Sequence, residues 1–272
     1  MNFHPASPAG ALRSLRDNRE LVWELVKRDF IGRYRGSFAG VAWSLFNPLL
    51  MLAIYTFVFT IAFNARWGPG TAVTQPFAVI LFAGMLVFNL FAETLIRAPT
   101  LITSQPNYVK KIVFPIDVLA WVVLCSAVLH FLVGFGVLLL IAAFIGKGLS
   151  LSVVLTPVVL MPLLLFSLGL TWILASLGVY LRDVPQVVAV LVTVLMFVSP
   201  IFYPLEVIPE KYRLFLTLNP LAVPIEQFRS VALWGKPIDW QAWGLWLAVD
   251  AIVFCAGYWW FQRTRKGFAD VL

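Results

Sequence analysis

Six stretches of about 20 apolar residues recur along this chain, at 41–63, 76–96, 118–145, 153–181, 185–203 and 242–261. A helix needs about 20 such residues to cross the ~30 Å hydrocarbon core of a bilayer. In lipid every backbone N–H and C=O must bond within protein, which leaves helices or closed barrels. Runs this long, without strict alternation, specify helices. The expected fold is therefore an all-α polytopic membrane protein with six transmembrane helices. Composition agrees: 61% of the 272 residues are hydrophobic and 12% are charged, where a soluble domain carries about 25% charged residues. The third and fourth runs are long enough to tilt or project beyond the bilayer. Pro48, Pro157, Pro162 and Pro200 fall within runs and predict kinks.

Lys and Arg set the orientation. The stretch before the first run and the alternate loops after it hold fourteen: Arg13, Arg16, Arg19, Lys27, Arg28, Arg33, Arg35, Arg97, Lys110, Lys111, Arg182, Arg263, Arg265 and Lys266. The opposite side holds six: Arg66, Lys147, Lys211, Arg213, Arg229 and Lys236. Both termini are expected in the cytoplasm, and an even number of spans agrees. The net charge of +7 then reflects topology and anionic headgroups. The first 40 residues lack a short apolar core with a small-residue cleavage site, so no signal peptide is expected.

Two regions outside the runs carry structure. In 12–31, Leu12, Leu15, Val22, Leu25, Val26 and Phe30 recur at helical spacing among charges. This predicts an amphipathic helix, lying in the interface or packed on its own protein; Trp23 suits headgroup depth. In 204–239, segments 213–218 and 221–234 are apolar but too short to span, and prolines punctuate them. They read as a re-entrant hairpin, or as a helical loop resting on the outer surface.

Catalytic motifs are missing from the sequence. There is no G-x-x-x-x-G-K-[ST], so ATP is not bound through a P-loop of this chain. Neither metal-ligand spacing nor a serine, histidine and acid arrangement is found. Cys125 and Cys255 sit inside apolar runs and indicate no disulfide framework. His130, alone in the third run, reads as a hydrogen-bonded packing residue. Glu93 and Arg97 are spaced for a local ion pair. Asp250 falls near the middle of the last run, where a charge costs roughly 2.5–3.5 kcal/mol on insertion scales; it marks a functional site or a polar contact inside the bundle. One carboxylate is too little for a proton relay, which weighs against a secondary transporter.

Aromatic residues are abundant, with 23 Phe, 11 Trp and 7 Tyr. Leu52, Tyr55, Phe59 and Phe63 share one helical face of the first run; Val190, Thr193, Phe197 and Ile201 share one of the fifth. Such faces suit sugar rings, whose C–H groups pack on aromatic planes. They equally suit lipid or helix packing.

The junction into the first run reads Arg28-Asp29-Phe30-Ile31-Gly32-Arg33-Tyr34-Arg35-Gly36-Ser37-Phe38-Ala39-Gly40-Val41-Ala42-Trp43, then Asn47-Pro48. Further on come Tyr180-Leu181-Arg182-Asp183-Val184, Ser199-Pro200-Ile201-Phe202-Tyr203, Asn219-Pro220-Leu221 and Glu226 to Arg229. Together, in this order and over essentially the whole chain, these resemble the ABC-2 type polysaccharide exporter permeases, the membrane subunits that export O-antigen, capsule or teichoic acid. The resemblance implies a cytoplasmic N-terminus with an interfacial helix (1–40), a transmembrane domain (41–272) and two short re-entrant outer helices before the last span. It implies a non-enzymatic homodimer in the bacterial inner membrane with two copies of an ABC ATPase, which carry ATP and Mg; this chain needs no cofactor. The cargo would be an undecaprenyl-diphosphate-linked polysaccharide. Tyr55, Phe59, Phe63, Thr193 and Phe197 would line the channel. Arg28, Arg33 and Arg35 would meet the lipid diphosphate, because guanidinium groups hold phosphate in bidentate fashion; positive-inside anchoring alone also calls for such charges. Lys110, Lys111, Arg182 and Asp183 would form the coupling and gate region gripped by the ATPase. Competing functions are an ABC-2 permease for a drug or small lipid and a membrane-embedded enzyme of polysaccharide assembly.

Overall fold

The computed structural model describes residues 8–64, 67, 76–106, 108, 114–145 and 150–271. The described residues are mostly helical, with no strand among them. Among the described residues, eleven α-helices follow in order: α1 Pro8–Asp17, α2 Arg19–Gly32, α3 Trp43–Tyr55, α4 Phe77–Arg97, α5 Val118–Ile145, α6 Thr156–Tyr180, α7 Val184–Val198, α8 Glu210–Thr217, α9 Ala222–Ala232, α10 Trp240–Thr264 and α11 Phe268–Val271. A 3₁₀ turn leads into α3, and a π-helical segment, Thr56–Ala62, prolongs it.

Among the described residues, five helical stretches are long and apolar enough to cross a membrane: Gly40–Ala62, Phe77–Thr100, Val118–Phe144, Leu151–Tyr180 and Trp240–Val271. The fifth predicted run departs from expectation. Its helix, α7, stops at Val198 after 15 residues, about 22 Å of rise. Ser199 turns extended, at φ −76° and ψ 151°, because the ring of Pro200 disfavours helical backbone in the preceding residue. Pro200 ends this helix where a kink was predicted. Pro157 sits in the first turn of α6, where its missing N–H leaves no bond unmade. Pro48 and Pro162 lie inside α3 and α6.

The amphipathic segment is also divided. It breaks at Asn18, whose side-chain amide donates to the Ser14 carbonyl at 2.8 Å. Val22, Leu25 and Val26 of α2 are buried, with α5 beside them. Leu12, Trp23 and Ile31 stay exposed.

α4 is the central helix and most of its residues are buried, whereas none of Gly40–Ala62 is. α6 and α10 form the closest pair. A Cβ on Gly169 would lie 2.6 Å from the Val253 carbonyl oxygen, and one on Gly257 would strike the Gly169 carbonyl. Small residues permit this approach, and dispersion then holds helices whose surroundings are as apolar as their side chains. The hydroxyls of Ser167, Thr171 and Ser176 donate to carbonyls four residues back in α6, at 2.7, 2.7 and 2.9 Å. Each polar group is thereby satisfied without leaving its helix.

The contacts sort the chain into two ends. At one end α2 meets the end of α4, the indole of Trp172 donates to the Asp117 carbonyl at 3.2 Å, and the Tyr180 hydroxyl donates to the Thr264 carbonyl at 3.1 Å. At the other, Phe59 stacks on Phe77, the Ser152 hydroxyl donates to the Val231 carbonyl, and Arg229 donates to the carbonyls of Ile80 and Ile201. α7 starts at the first end, three residues after α6, and finishes at the second. Among the described residues, five helices of membrane-spanning length and the shorter α7 thus run between these two ends.

Candidate functional site

Three constellations stand out. The first is a charged cluster where α2 crosses α4 and α5. Arg97 grips Asp29 bidentately, at 3.0 and 2.5 Å. Arg33 pairs with Glu93 and lies 3.9 Å from Asp29. Glu93 also meets Nδ1 of His130, 3.1 Å from both carboxylate oxygens, and lies 3.7 Å from Arg97. Phe30 stacks on the imidazole at 4.9 Å, with Tyr34 edge-on at 6.2 Å. Burial raises the Asp29 carboxyl, and the hydrogen bond and charge of Arg97, with Arg33, outweigh it; the group ends below its ordinary 3.8. The spacing of Glu93 and Arg97 predicts their contact, yet each has a nearer partner. Asp29 and His130 join this cluster from 68 and 37 residues away, and helical periodicity carries no signal for such pairs.

Two cavities border the cluster. One, of about 410 Å³, is lined by Arg28, Asp29, Gly32, Arg33 and Gln105, with Leu25 and α5 behind. The other, of about 400 Å³, runs between α3, α4 and α5 past Tyr34, Asn47, Asn89, Glu93 and His130 to Tyr55. Arg28 donates to the Tyr108 hydroxyl at 2.6 Å, and Tyr108 stacks on Phe114 at 4.2 Å. Arg35 is exposed. The three arginines singled out in the sequence therefore differ: Arg28 meets a phenol, Arg33 a carboxylate, and Arg35 solvent-facing space.

The second constellation is a string of rings at the far end. Phe63 packs on Phe59 at 6.2 Å, Phe59 on Phe202 at 6.2 Å, and Phe202 on Phe197 at 5.9 Å. Phe202, in the turn after Pro200, thus links the extension of α3 to α7. Phe63 and Phe197 are 71% and 61% exposed. Tyr55 is half-buried against the chain's own core. Thr193 donates to the Ala189 carbonyl at 2.9 Å and faces outward beside Val190 and Val194. The structure brings Phe59, Phe63 and Phe197 into one string; Tyr55 and Thr193 stand apart from it.

The third is a clip around Arg229, which is fully buried. Its guanidinium donates to the carbonyls of Ile80 at 3.1 Å, Pro200 at 2.5 Å and Ile201 at 2.8 Å, and to Glu226 at 2.8 Å. It stacks under Trp67 at 4.5 Å and occupies the space a Cβ on Gly84 would need. α9 is thus inserted beside α4, about 10 Å along it from Phe77, with its residues largely buried. Asn219 reinforces the corner by donating to Ser199 at 2.9 Å.

Of the coupling residues, Lys110 and Lys111 lie outside the described residues. Arg182 and Asp183 form the exposed turn between α6 and α7, where Asp183 is the N-cap residue of α7. No group of three metal-capable side chains occurs among the described residues.

Comparison with known proteins adds the family context. The sequence model of the ABC-2 type transporter family matches residues 20–233. The chain is similar to an O-antigen export system permease protein, RfbA, of Myxococcus xanthus, with 29% identity over 261 residues, 95% of this chain and 98% of that one. An RfbA of Klebsiella pneumoniae is 26% identical over 254 residues, 93% and 95% of the two chains. The polysialic acid transport protein KpsM of Escherichia coli is 26% identical over 210 residues, 76% and 78% of the two.

Proposed function

The chain belongs to the ABC-2 type transporter family, and from that premise we propose that it is the channel-forming permease for a lipid-diphosphate-linked, O-antigen-like polysaccharide. It is a transporter subunit and not an enzyme. The observation that carries the substrate class is similarity over 95% of the chain to a permease named for O-antigen export. The family model matches residues 20–233, from the start of α2 through the whole of α9.

In this reading the chain sits in the bacterial inner membrane with both termini in the cytoplasm, and α7 completes a set of six spans. Two copies assemble with two copies of an ABC ATPase, which bind ATP and Mg. The uncovered apolar faces of α3 and α7 support the pairing, because they are the least buried long surfaces of the bundle. Phe59, Phe63 and Phe197 line the passage, with Tyr55 and Thr193 further along it. Arg28, Arg33 and Arg35 receive the diphosphate headgroup. Lys110, Lys111, Arg182 and Asp183 transmit the ATPase stroke, and α8 and α9 form the re-entrant outer seal.

The test is to deplete the protein and measure lipid-linked glycan. Long undecaprenyl-linked polymer should accumulate inside the cell while surface polysaccharide falls. Normal surface polysaccharide without accumulation rejects this reading and moves a small-lipid or drug exporter into its place.

A further inference from the structure

Among the described residues, Arg33 alone lines both cavities at the α2 crossing. On one side lies the basic cavity of Arg28 and Gln105; on the other lies the largely apolar groove that runs past Asn89 to Tyr55. The ion pair of Arg33 with Glu93 therefore stands as the partition between them. Its partners are unevenly provided. Glu93 keeps His130 at 3.1 Å and Arg97 at 3.7 Å if Arg33 leaves, so its charge does not become unpaired. Asp29, which lines the Arg28 cavity, is already matched by Arg97. Among the described residues Arg28 meets a hydroxyl and not a carboxylate, which leaves its charge available to an anion.

We infer that Glu93 is a placeholder anion that holds Arg33 until a diphosphate headgroup, bound between Arg28 and Arg33, takes it over and opens the way into the groove. The chemistry favours the exchange: a diphosphate offers more charge than one carboxylate and matches two guanidinium forks at once. Glu93 is then a positioning residue for the cargo lipid. The inference rests on the exporter reading above.

The experiment measures binding of undecaprenyl diphosphate to the full chain in nanodiscs, with inorganic pyrophosphate as a second probe. Glu93→Gln removes the competing charge but keeps the shape, and should tighten lipid binding about ten-fold; Arg33→Gln should weaken it by a similar factor. Glu93→Asp, which shortens the side chain but keeps the charge for His130 and Arg97, should fall between wild type and Glu93→Gln, and carries the test if Glu93→Gln does not fold. Tightening for pyrophosphate without tightening for the lipid overturns the headgroup assignment. Wild-type binding that Glu93→Gln or Glu93→Asp leaves unchanged or weakens overturns the placeholder role alone. No binding of the lipid by wild type or any variant overturns the diphosphate-cargo reading with it.

Discussion

Asp29 and Asp250 are both carboxylates within the helical bundle, and their surroundings give them opposite weights. Asp29 accepts two hydrogen bonds from Arg97. Bonds to charged groups contribute about 1.5–3 kcal/mol where solvent is excluded, and less for this partly exposed pair. Asp29→Asn is expected to destabilise the protein by about 1 kcal/mol, read as a lower thermal midpoint in detergent. Its carboxyl lies below the ordinary value when folded. The contribution is therefore fully present above the unfolded carboxyl's pKa near 4 and is lost as pH falls through the lower folded value. The gap between wild type and variant should stay constant from pH 5 to 8 and close on acidification below that window. Asp250 is 1% exposed, and neither oxygen has a hydrogen-bond partner among the described residues. Replacing an unpartnered buried polar group by an apolar one of similar volume is neutral or stabilising. Asp250→Leu should match or exceed the wild-type midpoint and still export; loss of export in a folded Asp250→Leu protein would give this residue a role that its contacts do not reveal.

Among the elements, α6 and α10 pack with backbone against backbone at Gly169 and Gly257. A side chain at Gly169 meets the backbone of Val253 and Phe254 at 2.6–2.8 Å, and backbone cannot rotate aside as a flexible side chain would. Overpacking of this kind costs about 1–3 kcal/mol. Gly169→Val is expected to lower the thermal midpoint by several degrees, whereas the same change at Gly136, where nothing lies within 4 Å, should leave it within about a degree. The long spans were legible in the sequence because 20 apolar residues have one physical solution in lipid. The end of α7 was legible too, in the Ser199-Pro200 step, but a proline within an apolar run has two meanings, kink or stop. The corner that uses Ser199, Asn219 and Arg229 decides for a stop. The break between α1 and α2 at Asn18 was hidden because apolar spacing continues across it. The insertion of α9 beside α4 depends on Arg229 finding carbonyls of Ile80 and Pro200, 149 and 29 residues away, which no local pattern announces. The charged cluster was half visible: the spacing of Glu93 and Arg97 lies within one helix, while Asp29 and His130 come from others.

For the whole molecule, the question is what covers α3 and α7. Lipid and a second copy around a passage are both compatible with apolar exposure, and they differ in what a charge would cost. Aspartate on a lipid-facing helix is penalised by up to roughly 2.5–3.5 kcal/mol, falling toward the helix ends, and so reduces insertion and the amount of folded protein. Aspartate lining a wet passage avoids most of that cost but removes the apolar surface that a sugar polymer slides over. Phe63 and Phe197, at 71% and 61% exposure, test this directly. Tyr55 does not, because it packs against the chain's own core and its loss should destabilise the fold in either case. The doubly substituted Phe63→Asp, Phe197→Asp protein is expected to reach the membrane at wild-type levels, to keep its assembly size on gel filtration, and to lose surface polysaccharide. Poor accumulation in the membrane would instead place these rings against lipid, and unimpaired export at normal levels would remove the aromatic string from the path of the polymer.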